Sequence, residues 1–335
     1  MLNKYYFAFL ISALFPFVAL AGAADSLRLK FDGTLKTKLE WNINNNGDLR
    51  FNLRNSRVGF RGELGQYVMF RVQVELNSEG DFRVLDGFGT IKPSSNFSVN
   101  FGQTAVPFEN QYLITPSEMM FANRAFIGKF FTPGSRDIGI VAMYQTGGVF
   151  PLTVEGGFFN GNAINNPVWT DNPSYAFRLT GGSLKNFKTS AKVYRYPARE
   201  WLLYGADISY CRGDWLLQAE VMNRYNYNDA VIATSKNYTG AYIQSSYTIS
   251  RDFWKIFHGL IPALRWDAMN HTFSNGIDVN RITAGLGFAL SKKPFSSLIR
   301  IDYEHYFLHN DLPELTSLDE HVKGNKLTLE LLLKF

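Results

Sequence analysis

Between Leu27 and Glu75 the chain carries nine basic side chains: Arg28, Lys30, Lys36, Lys38, Arg50, Arg54, Arg57, Arg61 and Arg71. Five acids, Asp32, Glu40, Asp48, Glu63 and Glu75, stand against them. Cations gathered on one wall attract anions and raise their local concentration, an effect that salt weakens. Bond-making chemistry has poorer material. Of the five histidines, His271 and Ser274 are three apart and on a strand would face opposite ways. His305 and His309 share a face but would lie roughly 13 Å apart at about 3.3 Å per residue, too far to hold one metal. These, with His258 and His321, suit loop or girdle positions. There is no P-loop, no H-E-x-x-H and no serine elbow. The single cysteine, Cys211, excludes internal disulfides and Cys-rich zinc sites. We expect neither enzymatic activity nor a metal or cofactor, and no nucleic-acid partner.

Ion handling needs a wall to carry the charges, and the sequence supplies strands. From Leu27 to Trp41, Leu27, Leu29, Phe31, Leu35, Leu39 and Trp41 share one face, and Arg28, Lys30, Asp32, Lys36, Lys38 and Glu40 share the other. Period two over so long a run exceeds the usual soluble strand of about 5–6 residues. It suits a tilted membrane strand, which needs roughly 9–11 residues plus its rims. The same alternation predicts strands over 49–64, 67–76, 83–91, 96–102, 136–145, 152–160, 174–182 and 188–195. It continues over 203–211, 214–225, 237–249, 260–270, 281–290, 297–306 and 327–335, sixteen strands in all. Phe51 and Leu53 have the opposite parity to Val58 and Phe60, which predicts a bulge near Asn55–Ser56. Parity also sets all nine basic residues opposite the Leu, Phe and Val residues.

Connections after odd strands are mostly long, and most after even strands are short, as at Gly65-Gln66 and Arg212-Gly213. That alternation marks an outer-membrane barrel, with Ser250 to Gly259 a longer turn than the pattern wants. Composition agrees: 335 residues are 46% hydrophobic and 16% aromatic, yet mean hydropathy is −0.13. Half-apolar strands average out in this way and leave no apolar run long enough for a membrane helix. Trp41, Tyr67, Tyr175, Trp201 and Trp215 lie near strand ends and suit interfacial girdles. At the N-terminus, Lys4, the apolar stretch from Phe7 to Leu20 and Ala21-Gly22-Ala23 have the layout of a signal peptide over residues 1–23. Its removal takes only Lys4 from the 34 basic residues and leaves 33 against 29 acids. The rest, 24–335, reads as one barrel without a further domain. Leu327, Leu329, Leu331, Leu333 and the terminal Phe335 resemble the signal read by the barrel assembly machinery.

Residues 101–161 hold a series of short motifs: Phe101-Gly102-Gln103, Val106-Pro107-Phe108-Glu109, Ser117-Glu118 and Phe121-Ala122-Asn123-Arg124-Ala125. Phe131-Thr132-Pro133-Gly134-Ser135-Arg136-Asp137-Ile138-Gly139 and Gly157-Phe158-Phe159-Asn160-Gly161 follow. In order and spacing these resemble the phosphate-selective porin O and P family, with Ser135 inserted between the family's glycine and arginine. The Arg54–Gly62 strand is similar to its arginine-rich R-V-G-F-x-G strand. The resemblance implies an all-β transmembrane antiparallel barrel of 16 strands, trimeric, in a Gram-negative outer membrane. It implies contacts with lipid and lipopolysaccharide, and passage of small anionic solutes. It also implies a third loop, about 103–135, folded into the lumen. Carried over by position, the constriction charges are Glu109, Glu118, Arg124, Lys129 and Arg136.

Two readings stay open for these charges. Glu109 and Arg124 either line the pore or pin the loop to the wall, and Arg136 either lines it or pairs with Asp137. The basic wall likewise either faces the lumen freely or pairs with acids across it. With two acids and two bases in the loop, strict phosphate specificity is disfavoured, because such a site should be crowded with Arg and Lys donors. A competing function is a surface receptor or adhesin that uses the eighth loop, Phe307 to Lys326.

Overall fold

Alternating apolar and polar residues must put one face in lipid and one in water, and a sheet doing this without open edges has to close. The computed structural model describes residues 27–43, 47–53, 55–76, 81–183, 185–227, 237–271, 276–308 and 324–335. Their strands form one closed antiparallel sheet. β1 (Leu27–Asn42) pairs with β2, which runs in two pieces, Leu49–Leu53 and Ser56–Leu64. β3 to β8 are Val68–Leu76, Phe82–Ile91, Phe97–Ala105, Arg136–Gln145, Leu152–Phe159 and Ser174–Gly182. β9 to β12 are Phe187–Tyr196, Trp201–Arg212, Trp215–Asn226 and Tyr238–Tyr247. β13 to β16 are Gly259–His271, Val279–Ala289, Leu298–Leu308 and Lys326–Lys334. β16 returns to β1, Lys334 opposite Thr34 and Lys326 opposite Asn42, and the barrel closes.

The two pieces of β2 are one strand with an extra residue. Leu53 opposes Thr37 and Arg57 opposes Thr34, so three residues on β2 span two on β1. Asn55 takes φ +60°, the left-handed conformation that asparagine tolerates. The parity switch read from Phe51 and Val58 therefore has its physical origin in this bulge. Gly65 and Gly213, both at positive φ, close the short turns before β3 and β11.

Apolar residues of one parity face outward, as Phe51 and Leu264 do at 82% and 58% exposure. Beyond β16, Leu27 to Asp32 continue past the last paired position while still paired with β2. There the backbone of Phe335 pairs with Gly33 through N–H···O distances of 2.9 and 3.1 Å. Its ring covers Gly33 so closely that a Cβ there would lie 2.3 Å from it. Trp41, Tyr175 and Trp215 are exposed on strands, as a girdle requires, and Tyr67 is exposed in a turn. Trp201 departs from that expectation. It has the parity of buried Asp207 and turns inward, where the Arg224 guanidinium stacks on it at 4.3 Å. No described helix is long and apolar enough to cross a membrane; the strands do the crossing. The segment 1–23 lies outside the described residues, as do Arg54, Ser274 and most of the eighth loop with His309 and His321.

Candidate pore constriction

The long connection between β5 and β6 occupies 106–135, since β5 stays paired as far as Ala105 opposite Arg136. Two short helices interrupt it, α1 (Asn110–Leu113) and α2 (Phe126–Phe131), with a single turn at Pro116–Glu118 between them. Glu109 caps α1, its carboxylate accepting the N–H of Gln111 at 2.8 Å and of Tyr112 at 2.7 Å. Pro116 fits the first position of its turn, where no N–H is needed.

The loop runs inside the barrel because its apolar side chains meet apolar inward positions of β6 to β14. Phe108, Ile127 and Phe131 pack with Val141, Tyr194, Leu203, Met222, Tyr242 and Val279 in one buried cluster. Gly240 makes room for α2, since a Cβ there would meet Ile127 and Phe131 at 2.8 Å. A second apolar group gathers Met120 and Phe121 with Ile261, Ala289 and Leu298.

Charged residues of the wall hold the loop's backbone, whose buried carbonyls need donors. Lys36 and Lys38 donate to the Ala122 carbonyl at 2.8 and 2.9 Å, and Arg300 to that of Met119 at 2.7 Å. Arg265 donates to the Asn123 carbonyl and Arg281 to that of Arg124, each at 3.0 Å. Asp302 accepts the Ala122 N–H at 2.6 Å. On the far wall Arg178 donates to the Phe108 carbonyl at 2.9 Å, and Glu220 accepts the Asn110 N–H at 3.1 Å. These side chains are in turn paired. Lys36 lies 3.1 Å from Glu330, which Arg300 also meets, and Arg281 lies 2.7 Å from Asp267. Lys192 bridges Asp207, at 3.0 Å, and Glu220.

Between the loop and the wall lies a cavity of about 410 Å³. Lys36, Lys38, Arg50, Arg57, Arg83, Arg124, Arg281 and Lys326 line it, against three carboxylates, Glu40, Glu75 and Glu304. Eight cations thus face three acids. Glu330 and Asp267 sit behind the lining and neutralise part of that excess.

Placed on this frame, the expected constriction residues separate. Glu109 is 2% exposed, caps α1 and is not among the cavity-lining residues. Burial and the neighbouring Glu220 carboxylate push its pKa up from 4.5 to about 8. Glu118 is exposed and accepts the Thr115 hydroxyl at 3.0 Å. Arg124 lines the cavity, its guanidinium 5.2 Å from the centre of the Tyr112 ring. Burial and the like charge of Arg57 hold its pKa down at about 10, so it stays cationic at neutral pH. Lys129 falls on α2, and its side chain lies outside what the structure describes. Arg136 turns to Asp86 at 3.0 Å instead of pairing with Asp137, because neighbours along a strand point to opposite faces. Asp137 instead accepts the N–H groups of Ile138 and Gly161, at 2.7 and 3.0 Å.

Of the basic wall, Lys36, Lys38, Arg50 and Arg57 reach the cavity. Arg50 pairs with Glu40 and Arg57 with Glu75, both at 2.7 Å. Arg61 and Arg71 converge on Asp32 at 3.3 and 2.7 Å. Lys30 is exposed beside Glu63 at 3.8 Å, and Arg28 is exposed on the strand extension. Sequence reasoning did not single out Arg83, Arg281 and Lys326, or the loop-holding Arg265 and Arg300. Each is flanked on both sides by uncharged residues in an alternating strand, as Arg281 is by Asn280 and Ile282. Inward parity of a single basic residue is the signal that marks them, and it stands out less than the cluster on the first strands.

No protein-family model matches the chain, and no curated protein matches it in sequence. Its fold is the closed sixteen-stranded antiparallel barrel of outer-membrane porins. The anion-selective porin from Comamonas acidovorans is similar over 92% of this chain and 100% of that one, at 13% identity and a TM-score of 0.66. OmpF of Salmonella typhi, solved in complex with daunomycin, is similar over 93% and 98% of the two chains, at 12% identity and a TM-score of 0.63. The outer membrane channel DcaP of Acinetobacter baumannii is similar over 92% and 98%, at 16% identity and a TM-score of 0.59.

Proposed function

We propose that this chain is a porin of a Gram-negative outer membrane, a water-filled channel through which small solutes diffuse passively, with a preference for anions. One observation carries the reading: the space left beside the inward-folded loop is lined by eight cations against three carboxylates. Narrow pores select ions by such side-chain charge. Likeness in fold to a porin described as anion-selective adds support. Removal of residues 1–23 on export, insertion through the Phe335-terminated strand by the assembly machinery, contact with lipopolysaccharide, and a homotrimer belong to the same reading. One similar barrel, OmpT of Vibrio cholerae, is described in a trimer form. Inorganic phosphate is among the anions the channel would pass. Most of the guanidinium and ammonium groups are already paired with carboxylates, which argues against a site dedicated to it.

The purified protein reconstituted in a planar bilayer should give stable conductance steps in KCl, in triplets if the trimer persists. Absence of measurable steps would favour the receptor or adhesin reading instead.

A further inference from the structure

The lining cations are not equivalent. Seven of the eight have a carboxylate within 4.0 Å, from Lys36 with Glu330 to Lys326 with Glu40. Among the described residues Arg124 has none. Its guanidinium makes two long contacts, both 3.4 Å, to the Ile114 carbonyl, and rests on the Tyr112 ring. The ring lies beneath the planar group, and the N–H donors not turned to Ile114 stay along its edge, where they can bind a carboxylate or phosphate in two-point fashion. Arg57, on β2, lines the same space.

The rest of the lining decides between anion classes. Leu85, Tyr112, Ile164, Val279 and Tyr306 share the cavity with these charges. Apolar surface offers nothing to a phosphate or sulfate ion, which keeps its water. To a hydrocarbon body it offers burial, at about 25 cal/mol per Å² removed from water. The volume, about 410 Å³, also falls within the range of small-molecule sites, roughly 300–1,000 Å³.

We propose that the constriction is a binding site for small organic carboxylates with an apolar body, whose carboxylate is engaged by the free edge of Arg124. This rests on the porin reading and narrows its solute class. Arg124 is then a specificity-determining residue, and the wall cations supply the general attraction.

The test is interruption of the KCl current through single reconstituted channels by benzoate and, separately, by inorganic phosphate at matched ionic strength. Benzoate should interrupt the current at a concentration about tenfold lower, the gain from burying part of one ring face. Arg124→Gln should remove that gap in channels that still open in KCl. Arg124→Lys, which keeps the charge without the fork or the stack, should restore little of it. Equal or stronger interruption by phosphate would overturn the inference, as would a benzoate effect unchanged in Arg124→Gln, and either leaves the porin reading intact. Absence of KCl conductance in the unmodified protein would overturn both.

Discussion

Glu109 and Arg124 sit fifteen positions apart in the same loop, and burial acts on them in opposite ways. Arg124 keeps its charge at neutral pH and turns it toward the cavity, whereas Glu109 is withdrawn beneath α1 beside Glu220. For a carboxyl whose folded pKa is raised from 4.5 to about 8, the folded form binds the extra proton between those values. Its contribution to loop docking is therefore greatest below about pH 4.5 and weakens as pH rises to 8. Channel noise from loop motion should accordingly increase from pH 5 to pH 8, and Glu109→Gln should flatten that dependence. A noise profile identical in the variant would show that other groups set it. Glu109 and Arg124 could both be read from the sequence as loop charges. Their different fates could not, because each depends on partners far away in the chain.

At the scale of elements, strands were the most legible feature, because a period of two sustained over nine or more residues fits a half-buried strand and no helix. Even the bulge at Asn55 shows in the parity change between Phe51 and Val58. The loop helices α1 and α2 were not legible, being four and six residues long and held by tertiary contacts. Neither was the turn between β12 and β13, whose tip folds back through a Phe253–Phe257 bridge. Trp254 and Lys255 there take φ of +52° and +59°, left-handed positions without a glycine. The Phe257 ring packs at a tilt against Phe288, a residue of outward parity, with centroids 5.5 Å apart. Left-handed residues of this kind cost about 1–3 kcal/mol each. Lys255→Gly should therefore raise the thermal unfolding midpoint in detergent, by an amount corresponding to about 1 kcal/mol or more. An unchanged or lower midpoint would mean the strain is absorbed elsewhere.

Over the whole molecule, charge does two jobs that parity alone could not separate. Lys36, Arg265, Arg281 and Arg300 point inward as alternation requires, yet all hold loop carbonyls. Lys36 and Arg281 line the open space as well, and Arg124 lines it from the loop. A chain with 34 basic and 29 acidic residues can therefore enclose a distinctly basic passage, because acids such as Glu330 and Asp267 lie behind the lining and leave cations in front of it. The central claim is that this passage prefers anions. The direct measurement is the reversal potential of reconstituted channels across a steep KCl gradient. The sign set by chloride is the predicted result, shrinking as total salt rises and screening takes hold. A potential of the sign set by potassium would contradict it.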